Sequence, residues 1–293
     1  MKTAPKFLLK MMAEGFLNLR KAAGLTSHDA VNLVRKIFAT KKVGHAGTLD
    51  PAAVGVLPVA IGRATKFIEY LADSDKTYRA EIILGVATDT GDLDGEIISR
   101  AENFTTPSLE ELRAVIKNFI GEIEQTPPKH SAIKIHGRKA YDLARKNIDF
   151  EMPRRKVTIH EIKILSAEKN IVALEVACGK GTYIRSLAVD IGAALKIPAA
   201  LKFLERVRVG NFDIKNSVTL EDLKTGGEKF LLPVENCLSL EKFDLPEWRI
   251  KAFRNGLPTN ISAADGLFKV YAAGEFLGVG KIIAGELRSD KIF

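Results

Sequence analysis

Apolar and polar positions recur along the chain with helical and strand periods in turn. After Thr26-Ser27-His28-Asp29, which reads as a helix N-cap, Val31, Val34, Ile37 and Phe38 fall on one helical face. Lys41-Lys42 and Gly44 end that helix, and a glycine-rich loop runs from Gly44 to Gly55. Residues 78–86 read as a strand and 88–95 as a polar turn. Pro107-Ser108 opens a second helix, with Ser108 and Glu111 spaced as a capping box and Leu109, Leu112, Val115, Ile116 and Phe119 inward. Residues 157–165 and 171–178 alternate as paired strands, and a phase change at His160-Glu161 predicts a bulge. Ile184, Leu187, Ala188, Ile191 and Leu195 mark another helix, and Val207 and Val209 alternate with charge in a later strand.

Two regions break this pattern. Residues 125–146 begin with Gln125-Thr126-Pro127-Pro128 and hold six basic residues against one acid, so they read as an exposed loop with a short helix at 140–145. Beyond Leu245-Pro246, short strands at 268–271 and 276–279 alternate with the turn dipeptides Asn255-Gly256 and Ala273-Gly274, which suggests a small β-barrel. Helices and strands mix without a regular βαβ period. The expected class is α+β, with a mixed, mainly antiparallel sheet flanked by helices.

Composition narrows the function. The chain has 293 residues, 46% hydrophobic and 27% charged, as in globular proteins. Its longest uncharged run, 51–62, has two prolines and is too short for a membrane span. Lys10 and Glu14 interrupt the N-terminal apolar residues, which argues against a signal peptide. Cys178 and Cys237 form no CxxC pair, so a reducing cytoplasm is expected and a structural zinc site is not. The net charge of +8 is uneven: +7 over 1–45, −6 over 46–123, +5 over 124–164 and +2 beyond. Two basic blocks around an acidic one suit a phosphate backbone, or simply a solvated basic surface.

Three segments carry candidate chemistry. In Gly44-His45-Ala46-Gly47-Thr48-Leu49-Asp50-Pro51, glycines surround one histidine and one aspartate. That carboxylate could serve as nucleophile or general base, or the segment could be a plain turn. Gly179-Lys180-Gly181-Thr182-Tyr183-Ile184-Arg185 fails the phosphate-loop spacing, and its arginine either pairs with a carboxylate or lies on the surface. Tyr78 is a core aromatic or a stacking platform for a base. The acidic turn at 88–95 would need an acid at 101 to bind calcium, but residue 101 is alanine. No motif asks for a metal, a nucleotide or an organic cofactor.

In order, Gly15-Phe16-Leu17-Asn18, Gly24-Leu25-Thr26-Ser27-His28-Asp29, residues 41–51, Gly55-Val56-Leu57-Pro58, Ala64-Thr65-Lys66, Asp75-Lys76-Thr77-Tyr78 and Thr88-Asp89-Thr90-Gly91-Asp92 resemble one family. Residues 125–128, Ser131-Ala132-Ile133-Lys134, residues 137–141 and 179–185 continue the likeness, to about residue 210. The family is that of the bacterial tRNA pseudouridine-55 synthases of the TruB type. Two positions depart from it: Ala22 stands where proline is usual, and Val54 where threonine is usual.

The resemblance implies a pseudouridine synthase fold over 15–240, with an extension at 1–14. It implies a basic RNA-contacting loop at 125–150 and a PUA-like C-terminal domain at 245–293. It also implies isomerisation of uridine 55 in the tRNA T-loop without a cofactor. Asp50, Tyr78 and Arg185 would be catalytic: Asp50 as nucleophile at C1′ or base on the sugar, Arg185 paired to it, and Tyr78 stacked on the uracil. His45, Tyr183, Leu204, Lys66 and Lys134 would bind substrate. The expected partner is tRNA, through its T-stem-loop and acceptor end, bound by a cytoplasmic monomer without a required protein partner. A non-catalytic RNA-folding protein and a guide-RNA-dependent synthase are the alternatives.

Overall fold

A computed structural model describes residues 13–146 and 148–293. The extension expected over 1–14 lies, except for Ala13 and Glu14, outside the described residues.

The main sheet runs, in spatial order, through Gly15–Lys21, Val54–Ile61, Ala199–Val209, Lys76–Leu84, Ile171–Cys178, Arg155–Glu168 and Gly121–Gln125. Val43–His45 and Phe212–Asp213 pair beside this path. Neighbours are antiparallel except where Ala199–Val209 meets Val54–Ile61, through Glu205 with Val54 and Arg206 with Gly55. The sheet is therefore mixed and mainly antiparallel, as the pattern predicted. The bulge expected near His160 is present as a register shift between Ile159 and Glu161.

The helices Ser27–Ile37, Leu109–Lys117 and Ile184–Leu195 share one apolar core with the sheet. Capping boxes start the first two, Thr26 with Asp29 and Ser108 with Glu111, each satisfying otherwise orphaned backbone N–H groups. Leu112 and Ile116 are buried, but Leu109 is 49% exposed. It is the first residue of the helix and lies outside the buried face, so its apolar spacing misleads.

One face of the strand Lys76–Leu84 changes character along its length. Ile82 and Leu84 point into the core, whereas Tyr78 and Lys76, on the same face, line a cavity. That change of character sets the cavity at one end of this strand.

The C-terminal residues form a second, five-stranded sheet that curls as a half-barrel, in the order Glu241–Asp244, Gly266–Ala272, Glu275–Ile283, Glu286–Ile292 and Thr259–Asn260. Leu245, Phe253, Val270, Leu277, Ile282 and Leu287 form its core. Ala273 and Gly274 have φ of 50° and 80°, the conformation a two-residue hairpin turn requires. Asn255-Gly256 does not join strands as expected. It ends the helix Ile250–Arg254, with Gly256 in the left-handed region. The second sheet rests on the first body through Phe276 and Phe293 against Phe67, and through Lys291 on Glu69 at 3.1 Å.

Candidate active site

Asp50 lies on the loop between Val43–His45 and Val54–Ile61, two strands that pair antiparallel. Buried side chains hold this loop by its backbone. Ser27 Oγ donates to the Leu49 carbonyl at 3.0 Å and accepts from the Leu49 N–H at 2.8 Å. Lys21 Nζ donates to the carbonyls of Ala22, Leu25 and Pro51 at 2.9, 2.7 and 3.1 Å. Burial, reinforced by Arg206 and opposed by Asp50, lowers the Lys21 pKa to about 8. Arg206, 1% exposed, donates to the carbonyls of Val56, Thr48 and Gly47 at 2.8, 3.3 and 3.1 Å. Gly55, at φ +105°, lets the Arg206 backbone approach: a Cβ there would lie 2.2 Å from the Arg206 carbonyl oxygen.

The loop edges a cavity of about 300 Å³ lined by Asp50, Lys76, Tyr78, Tyr183, Arg185 and Leu204, among others. Arg185, in the first turn of Ile184–Leu195, is 5% exposed. Its Nε lies 3.0 Å from Asp50 Oδ2 and 3.4 Å from Asp92 Oδ2. The Nε–H sits between the two carboxylates and is aligned for a hydrogen bond with neither. Its terminal nitrogens donate to the carbonyls of Thr90 and His130 at 3.2 and 2.9 Å. The Asp50 side chain stays 43% exposed. Burial raises its pKa above the ordinary aspartate value, Arg185 opposes that shift, and Asp92 adds to it. Burial also raises the pKa of the Tyr78 hydroxyl, with Arg206 opposing.

The helix bearing Arg185 is tied to the basic loop. Gln125 Nε2 donates to the Tyr183 carbonyl at 3.0 Å, and Gln125 Oε1 accepts from the Tyr183 N–H at 2.8 Å. Ser186 Oγ donates to the Thr126 carbonyl at 2.7 Å. Beyond this stem, Lys134–Ile135 and Arg138–Lys139 form a hairpin that leads into the short helix Ala140–Ala144.

Five of the eight expected residues therefore meet at the cavity: Asp50, Tyr78, Tyr183, Arg185 and Leu204. His45 lies in an adjoining groove with His28, His130, Lys139 and Arg145. Burial and Arg206 lower its pKa, which favours the neutral ring. Lys134 is exposed on the hairpin. Lys66 is turned away, its Nζ donating to the Ile292 carbonyl at 3.2 Å. Asp92, Lys21, Lys76 and Arg206 were not anticipated as site groups. Asp92 belongs to the acidic turn considered for calcium, and Arg206 to the strand read as alternating with charge. Among the described residues, no three His, Cys, Asp or Glu side chains converge as metal ligands.

Comparison with known proteins bears on this arrangement. Residues 35–184 match the profile described as "TruB family pseudouridylate synthase (N terminal domain)". Residues 185–239 match that of the "tRNA pseudouridylate synthase B C-terminal domain". The chain belongs to the TruB family of pseudouridylate synthases. The boundary between the two TruB matches falls between Ile184 and Arg185, so the cavity draws Asp50 and Tyr78 from one and Arg185 and Leu204 from the other.

TruB relatives include tRNA pseudouridine synthase B of Caldanaerobacter subterraneus subsp. tengcongensis, 42% identical over 97% of this chain and 100% of that protein. The same enzyme of Dechloromonas aromatica is 44% identical over 92% and 91%. Among solved structures, an H/ACA ribonucleoprotein bound to a substrate RNA containing 2′-deoxyuridine aligns with a TM-score of 0.74. It is 26% identical, over 96% of this chain and 86% of that one. A Cbf5–Nop10–Gar1 complex also aligns at 0.74, with 28% identity over 93% and 79%. The fold seen here is thus shared with these H/ACA and Cbf5 complexes.

Proposed function

We propose that this chain converts uridine 55 in the T-loop of tRNA to pseudouridine. The observation that carries this reading is the Asp50–Arg185 pair at 3.0 Å beside a cavity faced by Tyr78, Tyr183 and Leu204. The name shared by the relatives, tRNA pseudouridine synthase B, supports tRNA as the substrate.

A cavity of about 300 Å³ suits one base rather than a paired or stacked one, so the target uridine must be flipped out. Unstacking costs a few kcal/mol, and stacking on an aromatic ring returns about 1–3 kcal/mol per base. Tyr78 supplies that ring, and Leu204 and Tyr183 close the pocket. Asp50, whose ionised form Arg185 favours against burial, acts on the sugar, either by bonding to C1′ or by taking a sugar proton. The N1–C1′ bond breaks, the uracil turns, C5 bonds to C1′, and the C5 proton leaves while N1 gains one. Composition is unchanged, so the reaction needs no redox partner or group donor.

The remaining expected assignments extend this reading. Residues 15–240 form the catalytic unit, and the sheet beyond 245 contacts the acceptor end of tRNA. The basic loop at 125–150 closes over the RNA, with Lys134 near phosphate. His45 helps hold the flipped strand. Lys66, committed to the C-terminal sheet, reaches phosphate only at the edge of the interface.

The test is release of label from C5-tritiated uridine in a T-stem-loop RNA, by the chain alone. The parent protein should release it without guide RNA or added protein. Asp50→Asn should bind the RNA and release none. Release by Asp50→Asn at near-parent rate would overturn the assignment.

A further inference from the structure

Lys76 lines the cavity, and the chemistry above leaves it unused. It stands two residues before Tyr78 on the same face of one strand. The side chain is buried, with the residue 8% exposed. Its Nζ donates to the carbonyls of Ala72 and Ser74 at 2.8 and 2.6 Å. An ammonium has three N–H donors, so one is uncommitted. Among the described residues, no carboxylate pairs with it. Asp73 is held by Lys180 at 3.0 Å, and Asp75 by His160 at 3.1 Å.

Burying a cation against neutral carbonyls alone is costly, and burial together with Arg206 lowers the Lys76 pKa. Arg206 is likewise buried, and its guanidinium donates to three carbonyls. The cavity therefore holds two kinds of charged group. Asp50 and Asp92 share Arg185. Lys76 lines the same cavity without a paired acid.

A carboxylate and an unpaired buried cation in one cavity match the charge that glycosidic cleavage creates. The N1–C1′ bonding pair stays with the uracil, whose negative charge spreads onto its two carbonyl oxygens, and the sugar becomes electron-poor. When C5 bonds to C1′, the ring returns a pair, C5 loses a proton and N1 gains one.

We propose that Lys76 is a further catalytic residue: its third N–H bonds a uracil carbonyl oxygen and stabilises the base as it departs as an anion. The proposal rests on the synthase reading above. Fixed donors aimed at developing charge are worth about 10²–10³ in kcat each. A lysine that only caps the turn at Ala72–Ser74 would instead affect stability alone.

The test compares single-turnover loss of the target nucleoside in T-stem-loop RNAs that carry uridine or 5-fluorouridine. Fluorine makes the base a better leaving anion, so help from Lys76 matters less. Lys76→Met should slow uridine conversion about 100-fold, with RNA affinity and thermal midpoint near parent values. The loss should be at least about tenfold smaller on 5-fluorouridine, and Lys76→Arg should recover part of the rate. Equal losses on both substrates, or a loss seen only in affinity or midpoint, would overturn the role of Lys76. Should Lys76→Met not fold, Lys76→Gln carries the same comparison. Failure of the parent protein to convert uridine would instead sink the synthase reading.

Discussion

The loop at 46–53 and the segment at 126–146 both border the cavity, yet different contacts hold them. The first is fixed from beneath by Ser27, Lys21 and Arg206, buried side chains that bond its backbone. The second is tied at its stem, by Gln125 to Tyr183 and Thr126 to Ser186, and at His130 to Arg185. Farther out it offers exposed cations, with Lys139 and Arg145 resting on the Tyr141 ring. Chemistry needs a carboxylate held within a fraction of an ångström, whereas binding a flexible, charged strand needs charge and reach. The shared point is Arg185, which touches Asp50 and the His130 carbonyl at once.

Substitutions should separate the two loops, and the largest effects belong beneath the first. Gly55→Ala forces a Cβ to 2.2 Å from the Arg206 carbonyl at a φ that disfavours side chains. It should cost about 3 kcal/mol or more, read as a drop in the denaturant midpoint. Arg206→Met removes the donor to three carbonyls and should cost about 2–3 kcal/mol, with kcat falling more than RNA affinity. Ser27→Ala should cost about 1–2 kcal/mol. Lys139→Ala, on the second segment, should change stability by less than about 0.5 kcal/mol. Its effect should appear in RNA affinity, with the salt slope shallower by about 1. A Lys139→Ala protein that unfolds early, or an Arg206→Met protein that loses only affinity, would erase the contrast.

The pH profile sharpens the same point. In the proposed chemistry ionised Asp50 is the active form, and its pKa lies above the ordinary carboxylate value because of burial. Activity should fall with acid already above the usual aspartate range of about 4. Arg185→Met removes the opposing cation and should move that limb to higher pH. The stability sign runs the other way. A raised folded pKa makes protonated Asp50 the stabilising form below the unfolded pKa, and this is lost as pH rises through the folded value. Asp50→Asn should therefore be at least as stable as the parent at pH 7.

Much of this was legible in the sequence, for physical reasons that differ by residue. Capping boxes at Thr26 and Ser108 are local, so the helices were readable. Asp50, Tyr78 and Arg185 stand in short motifs, and the fold brings them together. Arg206 was not legible: it lies beside Val207 in a strand that pairs on both sides, and a register shift falls at its position. Lys21 and Lys76 look like surface lysines in sequence. Their burial depends on carbonyls presented by turns, at Pro51 for one and at Ala72 and Ser74 for the other. Leu109 and Asn255-Gly256 misled because periodicity and turn dipeptides do not show where an element ends.

Amide hydrogen exchange with and without T-stem-loop RNA tests most directly whether one loop is preset and the other set by substrate. The amides of Ala46, Leu49 and Ala53 donate to the Pro58 carbonyl, Ser27 Oγ and the Asp50 carbonyl at 2.9, 2.8 and 3.1 Å. They should be protected equally in both states. The amides of Ala140 and Tyr141, bonded to the carbonyls of Ile133 and Ser131 at 2.7 and 3.0 Å, should slow only when RNA is bound. Equal slowing of both sets on RNA binding would contradict the account.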